Sequence, residues 1–282
     1  MTIARAVSAA AGTLAAAGAP PDDARHDAAL LARWVLRWSQ TDWLTRQGDA
    51  PPADFAERLG AAIDRRARHE PVAYIVGRQE FWGLSFDVTP AVLIPRPETE
   101  LIVEAASAVL HDVASPRVAD VGTGSGCLAI TIALESPTAQ VLAIEVSEAA
   151  LAVARDNARA LGASRVDFWR GAFLPGLIPP LDLVVANPPY VAERDRAALP
   201  AEVRDFEPPQ ALFGGPDGLL VIRALVPAAA AALAPGGWLV MEIGAGQSDD
   251  VARLVEETGA LRLHHIRPDL QGIPRVVVAR RK

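Results

Sequence analysis

Four consecutive residues, Asn187-Pro188-Pro189-Tyr190, end the apolar run LDLVVA at positions 181–186. An inner strand seldom stops so abruptly, and the residues that stop this one carry chemistry. Asn187 brings a carbonyl acceptor and an NH2 donor. The prolines fix their own φ angles and remove two backbone donors, so the turn is stiff and cannot pair onward. Tyr190 adds a flat ring with a polar tip. The plain reading is a strand-terminating turn. The chemical reading is a rigid pincer, in which the Asn187 side-chain oxygen and the Pro188 carbonyl accept from one planar NH2 group while Tyr190 packs against it.

A second cluster lies upstream in VADVGTGSGCLAI, positions 118–130, which reads as strand, glycine turn and helix start. Gly122, Gly124 and Gly126 let the backbone turn sharply and approach a ligand. Their spacing is G-x-G-x-G, with Cys127 where a dinucleotide fingerprint, G-x-G-x-x-G, would carry its last glycine. That favours a nucleoside without a pyrophosphate, and S-adenosylmethionine leads. Asp120 would repel phosphate there but tolerate an ammonium and a sulfonium. Glu145 comes 23 positions after Gly122, where an acid ending the second strand accepts from ribose hydroxyls. The plain alternative is a tight turn with a solvent-facing acid.

Both clusters fall at the carboxyl ends of predicted parallel strands, where open α/β sheets bind ligands. A planar amide or exocyclic amine is a poor nucleophile because its lone pair is delocalised. Held by two acceptors, it can aim the remaining lobe at a sulfonium methyl. Catalysis is then mostly positioning in a dry site, with no strong base needed before attack.

Other reactive side chains yield less. Cys127 has no nearby base and reads as packing in the first helical turn. As the single cysteine, it rules out an internal disulfide and a multi-cysteine metal site. His26, His69, His111, His264 and His265 show no metal spacing, and the adjacent pair should point to opposite faces of a strand. Arg65-Arg66-Ala67-Arg68-His69 reads as a solvated helix face. The chain carries 27 Lys and Arg against 34 Asp and Glu, a formal charge of −7, which argues against a broad nucleic-acid surface. Neither a secretory signal nor a membrane-spanning run is evident. We expect a cytoplasmic protein that acts as a monomer without a metal.

The elements that must position these residues follow from periodicity. Residues 1–72 show helical spacing, as in Ile3, Val7, Ala10 and Leu14, broken by Gly-Pro-Asp clusters, and predict a small helical bundle. Residues 73–96 read as a β-hairpin linker. Across 97–282, helix candidates at 98–111, 127–135, 148–161, 219–234 and 249–258 alternate with strands. The strand candidates are 117–121, 140–145, 165–169, 181–186, 238–243, 261–266 and 275–279. This predicts a seven-stranded, mainly parallel Rossmann-like sheet covered by helices on both faces, its last two strands antiparallel. The stretch between Tyr190 and Leu219 reads as a substrate-facing lid with one short helix, walled by Phe206, Glu207 and Pro208.

The segments DVGTGSG, AIEVS and NPPY together resemble class I S-adenosylmethionine-dependent N-methyltransferases. GRQEFWGLSFDVTPAVLIPRPETE, FEPPQALFGGPDGL and DLQGIPRVVVAR resemble more narrowly the HemK/PrmC family of protein-(glutamine-N5) methyltransferases, from about Pro71 to Arg280. The resemblance implies methylation of the glutamine in the Gly-Gly-Gln motif of class 1 peptide-chain release factors, with S-adenosylhomocysteine as product. It implies that Gly122, Thr123, Gly124, Ser125 and Gly126 hold the methionine part of the cofactor and Glu145 the ribose. Phe173 would cover the adenine; Ala172 stands where relatives commonly carry an acid. Asn187 would be shared by cofactor and substrate, Asn187, Pro188, Pro189 and Tyr190 would grip the glutamine amide, and the bundle would dock the factor. Two rivals use the same four-residue motif: an N6-adenine nucleic-acid methyltransferase, which must extract its base, and a glutamine methyltransferase of a ribosomal protein. A non-enzymatic nucleotide-binding module is a third reading.

Overall fold

The computed structural model describes residues 2–174 and 180–282. These form two compact units: one runs up to Arg78 and takes in Pro200–Phe206, and the other comprises Gln79–Leu199 and Glu207–Lys282.

The first unit is helical: α1 (Ile3–Ala16), α2 (Pro21–Leu36), α3 (Gln40–Arg46), α4 (Phe55–Ala67) and α5 (Val72–Val76). Thr2 caps α1 by accepting from the Arg5 amide, and Ser39 with Asp42 forms a capping box on α3. The core is built from stripes at helical spacing: Ile3, Ala10 and Leu14 from α1, Ala24, Ala28, Leu31 and Val35 from α2, and Phe55, Leu59 and Ile63 from α4. The expected solvated arginine face is only partly so. Arg66 is largely buried, with Nε donating to Asp27 Oδ2 and Nη1 to Glu202 Oε2, both at 2.6 Å. The reason is that α4 turns this position toward α2 and toward the returning segment.

The second unit opens with strands β1 (Arg78–Phe81) and β2 (Leu84–Asp87), joined by Trp82 and Gly83 at φ 55° and 69°. Two successive positive φ angles are what a two-residue type I′ hairpin turn requires. A 3-10 turn at Pro97–Thr99 leads into α6 (Glu100–Leu110), β3 (Arg117–Val121), α7 (Cys127–Glu135), β4 (Gln140–Glu145), α8 (Glu148–Ala160), β5 (Val166–Arg170) and β6 (Leu181–Ala186). The short helix α9 (Ala201–Phe206), which belongs to the first unit, and α10 (Pro209–Leu212) follow, then α11 (Leu220–Ala232), β7 (Leu233–Glu242), α12 (Ser248–Glu257), β8 (Leu261–Pro268) and β9 (Pro274–Arg281).

The seven-stranded sheet has the order β5-β4-β3-β6-β7-β9-β8. Its strands are parallel except β9, which runs antiparallel to both β7 and β8. Successive residues of β6 serve opposite faces: Leu183 and Val185 pack in the cluster with α6 and α7, and Val184 and Ala186 in the cluster with α11 and α12. A strand buried on both faces must be apolar, which explains the run at 183–186 that announces it. From β3 the chain winds outward to β4 and β5, then crosses back to β6 on the other side. The β3/β6 boundary is therefore a topological switch point, with Gly122 and Asn187 leaving adjacent strands at the same edge.

One expectation fails. His264 and His265 do not diverge: a register shift in β8 between Leu263 and His265 brings their Nδ1 atoms to 2.6 Å. A β-bulge adds a residue and breaks the two-residue alternation. Among the described residues, no three His, Cys, Asp or Glu side chains gather as metal ligands, and no helix is long and apolar enough to cross a membrane.

Candidate active site

A cavity of about 230 Å³ lies at the switch point, more than ten times the ~15 Å³ that one water needs. Its walls include Gly122, Thr123, Gly124, Ser125, Glu145, Phe173, Asn187, Pro188 and Pro189. Of the residues singled out in the sequence, Gly126 and Tyr190 are not among the lining residues. The cavity also takes residues from the linker, such as Val92 and Pro95, and from the segment after Tyr190, such as Gln210 and Ala211.

The three glycines divide the labour. All have positive φ, 77° at Gly122, 54° at Gly124 and 85° at Gly126, which only glycine adopts without strain. A Cβ at Gly122 or Gly124 would meet nothing within 4 Å, whereas at Gly126 it would stand 2.8 Å from Ile130 Cδ1 and 3.2 Å from Ala154 Cβ. Gly122 and Gly124 thus leave the cavity edge open to a ligand, and Gly126 lets α7 close against α8.

Asp120 proves to be an internal strut rather than a cavity wall. Its fully buried carboxylate accepts at Oδ2 from Thr123 Oγ1 at 2.6 Å and from the Ala129 amide at 3.1 Å, while Oδ1 has no partner. Burial pushes its pKa up to about 7. Asn157 braces the same loop, donating from Nδ2 to the carbonyls of Ser125 and Asp87, both at 2.9 Å. Glu145 accepts from the Gly124 amide at Oε2, 3.1 Å, and from Val146 and Ser147 at Oε1, 2.8 and 3.0 Å. A carboxylate has about four acceptor sites, so Oε2 keeps capacity for a ligand hydroxyl. Burial pushes the Cys127 thiol up to about 12, so at neutral pH it is no nucleophile.

The pincer hangs from a buried polar network. Asn187 Nδ2 donates to Thr99 Oγ1 at 3.0 Å, and the Thr99 hydroxyl donates to Glu242 Oε2 at 2.7 Å. Tyr190 donates its hydroxyl to Glu242 Oε1 at 3.0 Å. Burial first, then the Glu242 charge, hold the Tyr190 phenol above its ordinary range. Its backbone is cradled as closely: Gln247 Nε2 donates to the Tyr190 carbonyl at 3.0 Å, and a Cβ at Gly218 would stand 2.2 Å from that same oxygen. A Cβ at Gly214 would approach the Pro189 carbonyl to 2.5 Å. Gly214 and Gly218 in FGGPDG are therefore required by the close passage of Pro189 and Tyr190.

The segment after Tyr190 holds a 3-10 turn at Glu193–Ala198 together with α9 and α10, where one short helix is expected. Phe206, Glu207 and Pro208 are not the wall. Glu207 is buried behind it, accepting from the Ile94 amide at 3.3 Å and pairing with Arg96, which fixes linker and lid to each other. Thr99, Glu242, Gln247 and Asn157 escape sequence reasoning. The one local signal is Glu242 itself, a charge closing the apolar run WLVM.

Comparison with known proteins fits this geometry. Residues 5–77 match the family model described as the PrmC N-terminal domain, and residues 98–202 match a methyltransferase small domain. A release factor glutamine methyltransferase of Moorella thermoacetica is 44% identical over 284 residues, covering 100% of this chain and 99% of its own. The chain belongs to the release factor glutamine methyltransferase family. A second member, from Cereibacter sphaeroides, is 44% identical over 283 residues, with 99% of each chain covered. Membership implies S-adenosylmethionine as the methyl donor. Among solved structures, the hMettl16 catalytic domain in complex with an RNA hairpin superposes with a TM-score of 0.58 at 17% identity, covering 81% of this chain and 82% of that one. That likeness shows the shared fold.

Proposed function

We propose that the chain transfers a methyl group from S-adenosylmethionine to the side-chain amide nitrogen, N5, of the glutamine in the Gly-Gly-Gln motif of class 1 release factors. The observation that carries this reading is the placement of Asn187 and Pro188 in one cavity with Gly122, Gly124 and Glu145, in a chain with full-length relatives of that name. The open edge at Gly122 and Gly124 admits the methionine part of the cofactor, Glu145 Oε2 accepts from the ribose, and Phe173 covers the adenine. Bound there, the cofactor supplies an electrophilic methyl on a sulfonium.

The chain's own residues do the rest by orientation. Asn187 Oδ1 and the Pro188 carbonyl accept the two protons of the acceptor NH2, and rigid Pro188 and Pro189 keep both oxygens in place. The nitrogen becomes strongly acidic once methylated, so its proton leaves without a strong base. Tyr190, tied to Glu242, anchors the far end of the turn. The bundle of residues 1–72 docks the release factor, the hairpin linker 73–96 contributes to the cavity, and 97–282 carries catalysis. The chain works in the cytoplasm, where release factors act.

Radiolabelled methyl transfer to purified release factor tests this. Label should appear on the wild-type factor and vanish when the Gly-Gly-Gln glutamine is replaced; label persisting on the replaced factor refutes the acceptor. Asn187→Ala should lower turnover about 100-fold or more while cofactor affinity changes little. Loss of cofactor binding instead would give Asn187 a structural role.

A further inference from the structure

The two ends of the Asn187 amide are chemical opposites, since Oδ1 only accepts and Nδ2 only donates. Turned one way the side chain grips an incoming NH2 group; turned the other way it repels it. Something must decide between these orientations, and the amide itself has no preference. The structure supplies a decision two residues away. Thr99 owns one hydroxyl proton and gives it to Glu242 Oε2 at 2.7 Å. Its oxygen can then only accept, so Asn187 must present Nδ2 to it, as it does at 3.0 Å. Oδ1 is thereby the end left for the cavity that Asn187 lines.

We propose that Glu242 is a positioning residue that sets the polarity of a Glu242–Thr99–Asn187 hydrogen-bond chain, so that Asn187 Oδ1 faces the acceptor amide. This rests on the reading of Asn187 as the acceptor's grip. Burial raises the pKa of Glu242, and the hydroxyls of Thr99 and Tyr190, at 2.7 and 3.0 Å, counter that rise by donating to its two oxygens. Two hydroxyls donating to two oxygens is the pattern of a carboxylate, and both Thr99 and Glu242 are shielded from water, at 2% and 1% exposure. A neutral carboxamide at the same place could donate to Thr99, which would free Thr99 to donate to Asn187 and turn the amide over. The chain also joins three distant stretches, PRPETE, NPPY and the end of WLVME, so one buried charge fixes both Asn187 and Tyr190.

The test compares Thr99→Ser, Thr99→Val, Glu242→Gln and the double variant Thr99→Val/Glu242→Gln in turnover, KM and cofactor affinity. Thr99→Ser keeps the hydroxyl and should stay within about threefold of wild type. Thr99→Val and Glu242→Gln should each lower kcat by about 100-fold with cofactor affinity nearly unchanged. Because both cut one chain, the double variant should be no worse than the poorer single. Wild-type kcat in Thr99→Val, or effects that multiply in the double variant, would overturn the proposal. If Glu242→Gln does not fold, the Thr99 serine–valine pair decides alone. If wild-type enzyme labels no release factor, the functional reading falls by itself, and the chain is read from the 15N resonance of the Asn187 side-chain amide. That resonance should shift and exchange faster in Thr99→Val but not in Thr99→Ser; an unmoved resonance in Thr99→Val rejects the chain.

Discussion

Asp120 shows how a single buried acid can serve a site without touching its ligand. It is the penultimate residue of β3, before the glycine loop, and its Oδ2 gathers Thr123 Oγ1 and the Ala129 amide, pinning the loop to the first turn of α7. The cost is a carboxyl whose pKa burial raises to about 7 from an unfolded value near 4. Between those values the folded state holds a proton that the unfolded state has lost, so stability falls as pH rises from about 4 to about 7 and is level above. Asp120→Asn should keep both hydrogen bonds through its Oδ1, place NH2 where Oδ1 now lacks a partner, and abolish this slope. The gap between variant and wild type should therefore widen with pH to a few kcal/mol. Urea denaturation at pH 5, 6, 7 and 8 measures it, and a gap independent of pH would place the titration elsewhere. The sequence shows Asp120 beside the glycines, but its inward direction comes from the strand's register in the sheet.

At the scale of elements, the turn after β6 keeps its shape because neighbouring loops pass within contact of its carbonyls. Gly218 and Gly246 make a matched pair for testing this, with φ of 79° and 82°. Alanine at either position carries the same backbone penalty, about 1 kcal/mol. At Gly246 the new methyl meets nothing within 4 Å, and at Gly218 it would overlap the Tyr190 carbonyl. Gly246→Ala should cost only that penalty and retain turnover. Gly218→Ala should destabilise by several kcal/mol and displace the turn, so that the surviving folded protein is inactive; equal behaviour in melting and turnover assays would deny the cradle. The same contrast explains what was legible beforehand. Strands such as Leu181–Ala186 announce themselves because burial on both faces demands an apolar run. The glycine loop and the four-residue turn are local patterns and were readable as such. Thr99 and Glu242 lie 143 positions apart, and only the packing of α6 on β6 and β7 brings their segments together. The helices after Tyr190 are too short and proline-rich for periodicity to register, and the β8 bulge reverses the side-chain alternation that separates His264 from His265.

For the whole molecule, two compact units imply two cooperative transitions instead of one. The cavity belongs entirely to the larger unit, so S-adenosylhomocysteine should raise only that unit's melting. At a hundred times its Kd, a ligand of the folded state contributes ~2.7 kcal/mol, equivalent to roughly 5–10 °C for a unit of this size. Arg66 provides the complementary perturbation, since its partners Asp27 and Glu202 both lie in the helical unit. Arg66→Ala leaves Asp27 largely buried without its guanidinium, which should cost about 1–3 kcal/mol. It also releases Glu202, in the short helix that follows Pro200. Differential scanning calorimetry should therefore show the ligand-insensitive transition falling by at least ~4 °C in Arg66→Ala, with the ligand-sensitive transition unmoved and cofactor affinity intact. A single transition that shifts as a whole with ligand and with Arg66→Ala would mean that the two cores melt together. In that case the helical unit and the larger unit would have to be treated as one folding element.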